Sequence, residues 1–191
     1  MFPTTVRSTG VSKRTARWLA TAMTLAALAV LPPFVGPAAA VTAKDIQVAA
    51  RSVAFLSNPP TGTVEVAVVF DPGNADSKAD ADSIKGLITQ FPKAGGATLA
   101  PVLVPSDQLG QLSGKGVVFM ASGVGNAGAV FSAAASDGVP TLSIGEACVR
   151  AGHCVVGVVT SPKVQILVNK SAAEAASVSF KSAFLMMIQE V

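Results

Sequence analysis

The sequence predicts an α/β domain with a mostly parallel sheet, helices on both faces of it, and an antiparallel hairpin near the C-terminus. Three observations carry this reading. Apolar runs of strand length alternate with segments whose apolar residues recur at helical spacing. Two late runs, "HCVVGVVT" and "KVQILVN", flank Ser161-Pro162, a hairpin signal. Residues 41–191 are rich in Val, Ala, Leu and Ile, enough to bury one full core.

In chain order, residues 41–57 carry Ile46, Ala49, Ala50, Val53 and Ala54 on one helical face and stop before Asn58-Pro59-Pro60. "TVEVAVVFDP" (63–72) reads as a strand ended by Asp71-Pro72-Gly73. Residues 74–91 begin with polar capping candidates and place Ile84, Leu87, Ile88 and Phe91 on one face of a surface helix. "ATLAPVLVP" (97–105) is a strand and 106–112 a short helical turn. "GVVFMAS" (116–122), a helix at 127–136 and "PTLSIG" (140–145) continue the alternation. After the hairpin, residues 170–191 read as one closing helix with Ala173, Ala176, Phe180, Phe184 and Met187 on its buried side.

The first forty residues have another character. Arg7, Lys13, Arg14 and Arg17 precede an apolar stretch from Trp18 to Leu31, and Gly36-Pro37-Ala38-Ala39-Ala40 ends in a small-x-small pattern. That is a secretory signal peptide over residues 1–40, so the expected mature domain is 41–191, in the periplasm. The apolar stretch falls short of the ~20 residues a membrane span needs, and no stable membrane insertion is expected after cleavage. Four of the 14 Lys and Arg lie in this leader, leaving 10 against 11 Asp and Glu. The basic pI therefore belongs to the leader, and a patch for nucleic acid has no support. Trp18 is the only Trp and the chain has no Tyr, so a base-stacking platform is not expected either.

Gly123-Val124-Gly125-Asn126-Ala127-Gly128 is a literal G-x-G-x-x-G between a strand and a helix, and Glu146 follows 23 residues beyond Gly123. This is the layout of a dinucleotide fingerprint. It falls on the third strand-like segment rather than the first, in an exported chain that meets little free NAD. A tight strand-to-helix turn favours glycine on its own account. No cofactor is expected; a small anion or a partner's side chain could still use that helix start.

Catalytic groups are sparse. His153 is the only histidine, and two Cys with one His lack a fourth zinc ligand, so no metal is expected. Ser122 and Ser143 lie near strand ends with nothing to orient a base toward either. In an oxidising compartment Cys148 and Cys154, with five residues between them, are most simply a disulfide that pins a local loop. An enzyme is not the expected reading.

From "GVVFMAS" to the last residue the chain resembles the C-terminal half of the YfiR-like family, also called DUF4154. The shared pattern is a strand with a small-residue loop, a helix, "PTLSIGE", a glycine-bearing loop, a "VVGVV" strand, and an "ILVN" strand. Asn169 of that last strand opens a serine-bearing final helix. The resemblance implies a periplasmic regulator that binds the periplasmic portion of a membrane-anchored diguanylate cyclase and represses it, lowering cyclic di-GMP. It also implies an α/β fold and a capacity to form a homodimer. Some members carry two disulfides, the C-terminal one in the loop held here by Cys148 and Cys154. The chain departs from the family in having "VAFLSNPP" where many members end an aromatic-rich stretch in Trp-Pro, and in lacking a second cysteine pair. The competing class is a single-domain periplasmic small-ligand binder accessory to a transporter. For either partner or ligand, the candidate surface is the pair of loops holding Ser122, Gly123, Gly125 and Asn126, and Glu146, Arg150 and His153.

Overall fold

The computed structural model describes residues 40–191; the expected leader, residues 1–40 with Trp18, lies outside them except for Ala40. Helix α1 (Ala43–Ala54) starts where Thr42 can accept from the Asp45 N–H and Asp45 can accept from the Thr42 N–H, a reciprocal capping box. Ile46, Ala49 and Val53 then turn one buried stripe inward. Strand β1 (Gly62–Phe70) follows, and helix α2 (Ala75–Gln90) opens on Asn74, whose side chain accepts from the N–H groups of Asp76 and Ser77.

The remaining elements are β2 (Lys93–Ala94), β3 (Ala97–Pro105), a 3-10 turn (Leu109–Leu112), β4 (Val117–Met120), α3 (Ala127–Ser136), β5 (Thr141–Ile144), the single turn α4 (Ala147–Arg150), β6 (Val156–Val159), β7 (Gln165–Val168), α5 (Lys170–Ala175), α6 (Ser182–Leu185) and β8 (Gln189–Glu190). They build one eight-stranded sheet in the order β2-β3-β1-β4-β5-β6-β7-β8. From β3 to β6 every pairing is parallel, and β6 with β7 forms the expected antiparallel hairpin.

Both faces of the sheet are covered, which explains the unbroken apolar runs. Along β1, Val64, Val66 and Val68 meet α1 and α2 in one core, while Ala67 and Val69 meet the α3 and α4 side in a second. Along β4, Phe119 joins the first core and Met120 the second. The α/β class, parallel body, two-sided helices and hairpin stand as the sequence predicts.

The C-terminal segment differs. No single helix runs to residue 191: α5 stops after Ala175, and Ser177 adopts a left-handed backbone with φ 52°. There the Ser177 N–H donates to the Glu174 carbonyl and the Val178 N–H to the Ala173 carbonyl, the paired bonds of a Schellman stop. Serine in the position where glycine is usual hides this stop from the sequence. Ala173, Ala176 and Phe184 are buried as expected, but Phe180 is only half-buried and Met187 is 58% exposed. Residues beyond the stop cross back to the end of α1, where the Ser57 N–H donates to the Ser179 carbonyl and the Lys181 N–H to the Phe55 carbonyl. Phe91, expected on the buried face of α2, is 37% exposed because it already lies past the helix end.

Candidate functional site: a cleft beside the glycine loop

The chain enters the sheet at β1, crosses outward to β3 and returns across β1 to β4, so the loops after β1 and β4 diverge at a topological switch point. In a doubly wound sheet ligands favour that crevice. Here it is filled by the protein's own groups. Asp71, just past β1, accepts from the Gly73 N–H at 2.8 Å and from the Gly125 N–H at 3.3 Å. Asp80 of α2 accepts from the Ser122 N–H at 2.7 Å, and the Asn74 amide donates to the Gly123 carbonyl at 3.3 Å.

The fingerprint glycines acquire local reasons from this packing. Gly123 has φ +71°, and a Cβ there would lie 2.6 Å from the Asn74 amide nitrogen. At Gly128 a Cβ would sit 3.2 Å from His153 Nε2, so the bare backbone lets the imidazole lie against α3. A pyrophosphate brought to the Gly125 N–H would meet the Asp71 carboxylate already bonded to it, and like charges so close repel.

One strand further along, a cleft of about 290 Å³ opens between the start of α3 and the disulfide loop. Ser122, Gly123, Ala127, Ser143, Cys148 and His153 are among its lining residues. Of the candidate residues, the structure brings Ser122, Gly123 and His153 together here. Gly125 is turned to Asp71, and the Asn126 amide donates to the Ser106 carbonyl at 2.7 Å. Glu146 and Arg150 form an exposed ion pair at 2.8 Å on the outside of α4, spaced one helical turn apart. Nothing local in the sequence marks Asp71, Asp80 and Asn74 as loop partners, since they lie more than forty residues from the groups they bind.

The loop across the cleft is held at three points. Cys148 and Cys154 form a disulfide with Cα atoms 5.4 Å apart, and Cys154 is fully buried. The Asn169 amide donates to the Val149 carbonyl at 3.0 Å while its side-chain oxygen caps α5. Gly157 of β6 lets the loop reach the sheet, for a Cβ there would lie 2.5 Å from a Val149 methyl and 2.8 Å from the Gly145 carbonyl oxygen. With two of the three ties independent of sulfur, replacing both cysteines by alanine is expected to cost about 1–3 kcal/mol, as befits a short closed loop. Urea unfolding of the double variant measures it, and a loss above that range would mean that the bridge supports more than its own loop.

Among the described residues, Ser143 supplies the one buried side-chain oxygen or nitrogen without a hydrogen-bond partner. It is 4% exposed, and its hydroxyl has no hydrogen-bond partner among the described residues. Buried hydroxyls are normally satisfied, and an unpaired one costs about 1–3 kcal/mol. Among the described residues no three His, Cys, Asp or Glu side chains gather as a metal site would require. No helix among them is long and apolar enough to cross a membrane.

No family model matches the chain, and no curated relative does. Solved structures do share its fold. A conserved domain protein from Vibrio cholerae O1 biovar El Tor superposes with a TM-score of 0.56 at 12% identity, covering 78% of this chain and 59% of that one. The ABC domain in complex with L-Trp from Streptococcus pneumoniae gives 0.55 at 14% identity, with 78% and 59% covered. The substrate-binding protein with adhesive properties CD0873 from Clostridium difficile, in its ligand-free open form, gives 0.52 at 13% identity, with 67% and 54% covered. The chain thus spans between 54 and 59% of the length of these structures. The likeness establishes the α/β fold.

Proposed function

We propose that the protein is an exported, non-enzymatic binding protein that represses a membrane-anchored diguanylate cyclase by holding the cyclase's periplasmic portion. The observation that supports this reading is where the residues that resemble the YfiR-like pattern fall. They form a continuous half of the sheet, β4 to β8, and the segments that carry the resemblance sit at its joints: "PTLSIGE" spans β5 and ends at Glu146, the residue before α4, and Asn169 ties α5 to the disulfide loop. Two of the fold neighbours are described by what they bind, which supports a binding role over chemistry. The residues of α6 and just beyond add a surface for a protein partner. Leu185, Met186 and Met187 stand 46%, 89% and 58% exposed in a row, and exposed apolar patches mark interaction sites.

Repression of a cytoplasmic activity from outside the membrane is a differential-binding effect: the protein lowers cyclase output by as much as it prefers the inactive conformation. Deleting the gene is therefore expected to raise intracellular cyclic di-GMP and surface attachment. Wild type should restore both, and Met186→Glu, a change on an exposed side chain that leaves the core alone, should not. Unchanged cyclic di-GMP in the deletion strain, with the protein shown to be expressed in its parent, would refute repression.

A further inference from the structure

The cleft beside α3 offers a second binding chemistry that does not depend on the repressor reading. Its walls are mostly apolar, with Val124, Ala127, Ile144 and Ala147 among them, and no carboxylate, lysine or arginine lines it. Its polar side chains, Ser122, Ser143 and His153, can each donate a hydrogen bond. Helix α3 is ten residues long and opens onto the cleft at Ala127, and Asn126 at its start makes no side-chain cap. The N–H groups of Ala127 and Gly128 consequently have no acceptor among the described residues. Those orphan donors and the helix dipole favour a negative charge.

The independent sign is Ser143. Its neighbour Leu142 points into the α1 and α2 core, so by strand alternation Ser143 faces the opposite side, where the residue lines the cleft and its buried hydroxyl has no partner. A doubly charged phosphate would be disfavoured by Asp71 and Asp80, which hold the outer N–H groups of the same glycine loop. The ammonium of an amino acid would find no counter-ion in the lining. A volume at the lower end of the small-molecule range asks for a compact body.

We propose that this cleft binds a small monocarboxylate with a compact apolar body, its carboxylate at the start of α3 and on the Ser143 hydroxyl, its body against Val124, Ile144 and Cys148. The test titrates benzoate into the exported chain, labelled with nitrogen-15, beside benzyl alcohol, phenylalanine and inorganic phosphate. Benzoate should shift the amide signals of Gly123, Val124, Ala127 and Gly128 saturably, with the other three at least about tenfold weaker. Ser143→Ala should weaken benzoate by about three- to tenfold. Ala147→Phe, which fills the cleft from the exposed α4 turn, should abolish the shifts and leave the rest of the spectrum unchanged. The proposal is overturned by the absence of saturable shifts, by shifts that map elsewhere, by phosphate binding as tightly at the same amides, or by undiminished binding in Ala147→Phe. Because the isolated protein is used, failure here leaves the cyclase reading untouched, and failure of the gene deletion leaves this site untouched.

Discussion

Phe184→Ala is expected to lower the unfolding free energy by about 3–5 kcal/mol, the cost of emptying a buried aromatic site. Phe184 is 1% exposed, with ring centroids 5.2 Å from Phe55 and 5.0 Å from Phe180. Helix α6, which carries it, has only four residues, too few to hold a helix by local propensity. Its position therefore depends on that ring and on the exchange of hydrogen bonds between residues 55–57 and 179–181. With the ring gone, β8 and the exposed Leu185 to Met187 row should loosen together. Phe180→Ala, at a half-buried ring, should cost clearly less. Urea unfolding of both variants decides the order; a loss below about 1 kcal/mol for Phe184→Ala would show that the C-terminal segment does not close the core.

Asp45→Ala comes next, with an expected loss of about 2–4 kcal/mol at neutral pH. Asp45 is buried and takes three short hydrogen bonds: from the Thr42 N–H at 2.8 Å, the Thr42 hydroxyl at 2.7 Å, and the Thr160 hydroxyl at 2.6 Å. It thus fastens the start of α1 to the far end of β6. Burial pushes its carboxyl upward, but the bonds from Thr160 and Thr42, with the charge of Lys44, outweigh this and hold it below its ordinary value of 3.8. A carboxyl lowered by folding contributes stability that is complete above its unfolded value and disappears as pH falls through the folded one. The gap between wild type and Asp45→Ala should accordingly be widest near neutrality and narrow below about pH 4. A gap independent of pH would mean that the ionised form has no advantage in the fold.

The strands of the sheet's body were legible because each falls in an apolar run bounded by turn residues, and "ATLAPVLVP" is β3 from first residue to last. What escaped reading was set by contacts or by atypical residues. β2 and β8 are two residues each, defined by the register they take against β3 and β7 rather than by composition. The break at Ser177 has no glycine to announce it. At the site, the Glu146–Arg150 pair is inherent in its one-turn spacing, and the cysteine bridge is suggested by the short spacing of the only two cysteines. The reach of Asp71 and Asp80 to the glycine loop is not, because it exists only after α2 has folded onto the sheet.

The Phe55, Phe180 and Phe184 cluster also gives the protein an optical signature. Residues 41–191 hold no tryptophan or tyrosine, so the near-ultraviolet circular dichroism of these residues comes from their phenylalanine rings and the Cys148–Cys154 disulfide. Rings locked in an asymmetric stack give such a signal, and freely turning rings do not. The part of the phenylalanine fine structure that Phe184→Ala removes therefore reports, without a label, the seating of the C-terminal segment on α1, and its fading before the far-ultraviolet helical signal would record that segment opening ahead of the rest of the domain.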